Sequence, residues 1–170
     1  MADQILKPLD QAILEHQFEL LKLELSLINS GIRQMDDITK GVKNWAVVTW
    51  TASIGLSIAT PKLNKFMWLT ALVPFVFWLV DTSFRQIQRT FIYRIRLISE
   101  FINSDKFNKS IAQGRIVDFY LLDMRASRQC NEDDYKNSTS WFKAMFFGSV
   151  AILYAALMSV SLIIYFIVLH

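Results

Sequence analysis

Cysteine is almost missing from this chain. Cys130 is the only one among 170 residues, so no intramolecular disulfide can form. Histidine is nearly as scarce: His16 and His170 stand far apart. No His-x-x-x-His, Cys-x-x-Cys or nucleophile-elbow pattern occurs, and the Arg-x-x-x-x-His pattern of HEPN ribonucleases is absent. The five glycines are scattered, which removes any Gly-rich loop that would cradle a phosphate. With only three prolines as well, a loop-rich or β-rich fold is disfavoured. No catalytic residue, metal-ligand set or cofactor site emerges, and an enzyme is not expected. The net charge of +3 is too small to argue for nucleic acid as a partner.

Apolar residues are what the chain has. They make up 53% of it, with 13 Phe, and they are grouped into runs that point to an all-α integral membrane protein. Four segments follow. Residues 1–42 read as an amphipathic helix. Leu14, Phe18, Leu21, Leu25, Ile28, Ile32 and Met35 recur in steps of four and three, a heptad seam kept for three repeats. Ile13, Leu20 and Leu27 form a second stripe beside it. A widened apolar face suits a bundle in which each helix has two neighbours. The seam is therefore expected to hold copies of the chain together; the alternative is packing within the chain alone. The acidic first 40 residues are unlike a secretory signal, and an uncleaved cytoplasmic N-terminus is expected.

Residues 43–82 read as a transmembrane hairpin. The runs 45–60 and 66–80 carry no charge, and Thr60 to Lys65 reads as the turn. Each arm rises only about 24 Å against a hydrocarbon core of about 30 Å. The hairpin either spans with Lys43, Lys62 and Lys65 snorkelling or is re-entrant. Trp45, Trp50, Trp68 and Trp78 favour spanning, since Trp collects at membrane interfaces. Thr49, Ser53 and Ser57 lie four apart and are candidates either for close helix packing or for lining a narrow pore. Thr51, Gly55 and Ala59 form a neighbouring small stripe.

Residues 83–140 read as a cytoplasmic helical region. Helix from 66 is expected to continue to about 103 through Phe84, Ile87, Phe91, Ile95, Ile98 and Ile102. A second helix is expected from Arg115 to about Arg128, burying Ile116, Phe119, Tyr120 and Met124. A polar connector is expected over 129–140, with Asp118, Asp123, Asp133 and Asp134 solvated. Asp81 ends the apolar run, and Lys43 and Arg85 are its candidate partners in an interfacial clasp. Arg85, Arg89 and Arg96 share a face that suits anionic lipid headgroups or nucleic acid, although membrane topology alone accounts for it.

Residues 141–170 read as the C-terminal transmembrane helix, capped by Ser138, Thr139 or Ser140. Between Ala144 and Leu169 there is no charge, long enough to span with tilt. Ala144, Gly148, Ala151, Ala155 and Ser159 make a small-residue stripe for packing on the hairpin or on another subunit. The basic 82–140 segment places that region and the N-terminus inside, and the C-terminus outside.

Two stretches, MDDITKGVKNWAVVTW at 35–50 and ALVPFVFWLVDTSFRQIQRTFIYRI at 71–95, resemble a group of small bacterial inner-membrane proteins, the RipA-like proteins. The shared pattern is Asp36-Asp37, Lys43 and Trp45, then Pro74, Phe77-Trp78 and Asp81. It covers about a quarter of the chain. The resemblance implies a homo-oligomer of several subunits, an octamer in that group, in the cytoplasmic membrane. On this reading the expected function is a ring, pore or membrane-perturbing assembly. The alternative is a membrane-anchored scaffold that recruits a cytoplasmic protein partner.

Overall fold

A computed structural model describes residues 2–124 and 131–169. All regular structure among them is helical. Helix α1 runs unbroken over Ala2–Ala59, joining the expected amphipathic helix to the first hairpin arm. Between 9 and 59 nothing stronger than an isolated glycine interrupts it, and a lone Gly such as Gly41 costs a helix only about 1 kcal/mol. Thr60 and Pro61 end it, because the residue before a proline is driven out of the helical region. Thr60 lies at φ −119° and ψ 98°.

The return arm begins as a 3-10 helix over Pro61–Ala71, longer than such runs usually are. Helix α2, Leu72–Ile102, continues from it. The 3-10 stretch answers part of the length problem. It rises about 2.0 Å per residue instead of 1.5, so the uncharged run 66–80, which would rise about 22.5 Å as α-helix, gains about 3 Å and reaches about 25.5 Å. The remaining helices are α3 (Asp105–Ala112), α4 (Glu132–Ser138), α5 (Trp141–Met145) and α6 (Gly148–Leu169).

The chain divides into two compact units. The four sequence segments combine in alternation: the first with the third, the second with the fourth. Unit 1 holds residues 1–34 and 88–139. Its core is Leu21 and Ile28 of α1 against Ile98 of α2, flanked by Leu25, Ile32, Phe91, Ile95, Phe119, Leu121 and Met124. Gly31 lets α1 and α2 come close: a Cβ there would lie 3.0 Å from the Phe91 ring.

The helix expected over 115–128 does not form in its described part, 115–124. Three left-handed residues break it: Gly114 at φ 67°, and Asp118 and Leu122 at φ 58°. An L-residue can hold that conformation only when its surroundings supply the hydrogen bonds a helix would give. Here they do. The Ile116 amide donates to the Gln17 carboxamide at 2.5 Å, and the Leu122 amide donates to Glu24 Oε2 at 2.9 Å. Arg94 donates to the Tyr120 carbonyl at 2.5 Å. The segment is thus an extended strap laid along α1. Ile116, Phe119 and Met124 are half-buried under it, but Tyr120 is exposed, contrary to expectation. Arg125 to Cys130 lie outside the described residues.

The expected connector at 129–140 contains helix α4. Its cap is Asn131, whose side chain accepts from the Asp133 amide at 3.2 Å. Three acidic residues fill its first turn and Lys136 its last, the arrangement a helix dipole favours.

Unit 2 holds residues 35–87 and 140–170. Ala46 of α1, Trp78 of α2, and Val150 and Tyr154 of α6 form its core. The expected single C-terminal helix is split at Phe146 and Phe147 into α5 and α6. The break is held by Trp78, whose indole N–H donates to the Met145 carbonyl at 3.0 Å. Trp78 is therefore inside the unit, while Trp45 and Trp68 are exposed as interface residues would be. Two helical stretches, within Lys62–Ile102 and Glu132–Val168, are long and apolar enough to cross a membrane. The 45–59 end of α1, diluted by Thr and Ser, is not among them.

The centre of unit 1 gives a direct test. Glu24→Ala would leave Arg94 buried without a counter-charge, a loss of about 3–5 kcal/mol. Hydrogen–deuterium exchange should show the Leu122 amide losing protection. Glu24→Gln, which keeps the shape and the acceptor, should cost less. Equal effects of the two variants would contradict this account.

Candidate functional site

Asp81 is the one expected site residue that becomes fully buried in unit 2. Arg85 comes from the next turn of α2, and its Nε stands 3.8 Å from Asp81 Oδ1. Lys43, on α1, lies within electrostatic reach of the same carboxylate. The three residues named from sequence are thus brought together. Their geometry is loose. Arg85 Nε makes no hydrogen bond among the described residues, and a side chain that interacts with the Asp81 carboxylate from another helix is Tyr154. Sequence reasoning missed this fourth member, Tyr154 of α6, fully buried with its hydroxyl beside the Asp81 carboxylate. Its signal was a phenol near the start of an uncharged helix, where a buried O–H needs a polar neighbour. The Arg85 guanidinium also lies over the Phe147 ring at 5.6 Å. What this set does chemically is hold charge at the end of an apolar run; it holds no nucleophile with a base beside it.

Thr49, Ser53 and Ser57 come out differently. Ser53 donates to the Thr49 carbonyl at 2.7 Å and Ser57 to the Ser53 carbonyl at 2.9 Å. Both hydroxyls are thus used by their own helix, four residues back. Ser53 and Ser57 border a groove of about 250 Å³ otherwise walled by residues such as Leu56, Leu63, Phe66 and Leu69. Thr49 is exposed. The three residues do not surround a polar channel within one chain. Further along, the Trp50 indole donates to Ser161 at 2.7 Å, fixing α1 to α6.

The seam from Leu14 to Met35 is occupied by its own chain. Leu21 and Ile28 are buried, and Leu14, Phe18, Leu25, Ile32 and Met35 are half-buried. The reason is local: α2 returns with a matching stripe of Phe91, Ile95 and Ile98, and the strap adds Phe119 and Leu121. Packing within the chain carries no association cost, so it takes the better seam.

The basic face of α2 is not free either. Arg96 pairs with Asp134 at 2.6 Å and with Glu100 at 3.6 Å. Arg89 donates to the Ser138 carbonyl at 3.5 Å. Helix α4 thus engages Arg89 and Arg96 of the stripe that otherwise suited lipid headgroups or nucleic acid, and Asp134, exposed as expected, is paired with Arg96. Unit 1 also carries a concave site of about 450 Å³ beside Leu97, Glu100, Ser104 and Lys106. Part of its wall is the stacked pair Phe101 and Phe119, 4.3 Å between ring centroids. Among the described residues, no cluster of His, Cys, Asp and Glu could hold a metal ion.

The clasp predicts a double-mutant cycle. Arg85→Leu strands the buried Asp81 carboxylate and should destabilise the protein in detergent by several kcal/mol. Adding Asp81→Asn should recover much of that loss, with a coupling of about 2 kcal/mol. Additive melting shifts would mean that the two side chains act independently.

Compared with known proteins, the chain matches no family model, no curated protein and no solved structure, so its resemblance to the RipA-like proteins rests on the quoted residues alone.

Proposed function

We propose that the chain is a homo-oligomeric protein of the bacterial cytoplasmic membrane, assembling as a ring, pore or membrane-perturbing complex of several subunits. The octamer of the RipA-like proteins is the size to test first. In this reading the bilayer holds the hairpin and α6 as three spans. The N-terminus and 83–140 lie in the cytoplasm and the C-terminus outside, as the basic residues of that region require.

The observation that carries the reading is the small-residue stripe of α6. Ala144 is buried and Ala151 half-buried against the core, but Gly148, Ala155 and Ser159 are exposed, and a Cβ on Gly148 would meet nothing within 4 Å. In lipid, small residues earn their place by letting helices approach closely. Of the two packing partners the stripe suits, the hairpin of the same chain leaves it largely open. Another copy is then the natural neighbour. A conducting path, where there is one, lies between copies, with Thr49 as the most accessible of the hydroxyl residues.

A second reading is a membrane-anchored scaffold. Its support is the concave site in unit 1, with its aromatic wall and mixed charges, which fits a cytoplasmic protein partner.

Two measurements separate these readings. Native mass of the nanodisc-held protein should give several subunits; a monomer would sink the ring. Dye-loaded liposomes carrying verified oligomers should then leak. Intact oligomers without leakage would leave the scaffold as the better account.

A further inference from the structure

Helix α1 has a second heptad stripe that the described residues leave largely exposed. Leu9, Ile13, His16, Leu20, Leu23 and Leu27 follow one another in steps of four and three. Leu9 is 56% exposed, Ile13 41%, Leu23 50% and Leu27 44%; Leu20 is half-buried. At 100° per residue this stripe points roughly 130° away from the buried seam, so Ile13, Leu20 and Leu27 belong to a separate face and do not widen that seam. The wider sector between the two stripes carries Glu15, Glu19, Lys22 and Arg33. We propose that this outer stripe is where a second copy of the chain docks, as a parallel, in-register coiled coil. The proposal rests on the homo-oligomer reading and names its contact in unit 1.

The chemistry of the stripe selects its occupant. A helix lying on an anionic membrane is flanked by Lys and Arg. Here the flank begins with Glu15 and Glu19, and Lys22 is already paired to Glu19 at 2.8 Å. A heptad pattern of exposed Leu and Ile fits knobs into the holes of a helix with the same repeat. Every copy presents that repeat. Copies anchored with one sidedness run in one direction, which makes the pairing parallel and puts each residue beside its own counterpart.

The size of the stripe fits a contact that depends on anchoring. The four exposed side chains together offer roughly 350 Å² of apolar area, below the ~800 Å² per partner of a stable interface between free proteins. Tethering raises the effective concentration and makes such a contact sufficient. His16 occupies a position within this outer stripe. A polar residue there fixes register at a cost in stability.

The test is a cysteine scan of the full chain in membranes, in a Cys130→Ser background. Ile13→Cys, Leu20→Cys and Leu27→Cys should cross-link between copies several-fold more than Glu15→Cys, Lys22→Cys and Asn29→Cys. His16→Leu should raise the melting temperature of the complex, and Leu20→Lys should lower it. Uniform or reversed cross-linking overturns the proposal. So does an oligomer of unchanged mass with no cross-link along α1, an outcome that leaves the homo-oligomer standing. A monomeric mass removes both.

Discussion

Glu24 and Arg94 meet with both side chains at zero exposure, 2.8 Å apart. Taking two charges out of water costs several kcal/mol each unless every polar atom finds a partner. Unit 1 is arranged so that they do. One Glu24 oxygen takes the guanidinium and the other takes the Leu122 amide. Arg94 also reaches the Tyr120 carbonyl and lies over the Phe119 ring at 4.7 Å. The pair therefore fixes three elements at once: α1, α2 and the strap. The strap's left-handed residues follow from it, because Tyr120 and Leu122 must turn their backbone polar groups toward the two charges. The apolar core around Leu21, Ile28 and Ile98 closes over the same point.

Unit 2 meets a related constraint by other means. Its interior groups are mostly hydroxyls and indoles, and they are used locally. Ser53, Ser57, Thr82 and Ser161 each bond a carbonyl three or four residues back in their own helix. Trp50 and Trp78 make long-range bonds, to Ser161 and to the Met145 carbonyl. The second of these explains why α5 and α6 are separate: a broken helix leaves carbonyls without donors, and the indole supplies one. Asp81, Arg85 and Tyr154 are the exception to this economy.

Periodicity made the long elements readable. The stripe from Phe84 to Ile102 placed the end of α2 within a residue or so, and the uncharged run to Leu169 located α6. The i, i+4 spacing of Asp81 and Arg85 was visible as well. What local patterns could not carry was chemistry supplied from afar. The strap was read as a helix because its apolar residues recur at helical spacing, while the bonds that unwind it come from Gln17 and Glu24, about 100 positions away. A signal for that did exist. Glu24 interrupts the apolar face of α1, and Arg94 interrupts the matching face of α2. Two opposite charges on two facing seams are a reason to pair them. The seam itself was legible as buried surface, but periodicity is the same whether the covering helix belongs to this chain or to another.

That ambiguity bears on what a membrane assembly of this chain would look like. The interior of unit 2 is packed, with Ala46, Val150 and Tyr154 at zero exposure, and its serine hydroxyls are committed to backbone carbonyls. A polar passage would therefore need walls from several copies. The faces left for such walls are limited. The α6 stripe is the closest-approach surface, and a helix pair meeting there excludes water from its own contact line. Any lumen must lie on a different face, and on α1 the exposed Thr49 and Thr51 are the hydroxyl residues that have not been drawn inward. Contacts on α6 with Thr49 turned to the centre give a ring with a path; contacts that cover Thr49 give a closed cluster. In the proposed assembly the same helices would serve a pore or an anchor, and the difference would be which side of α1 a neighbouring copy takes.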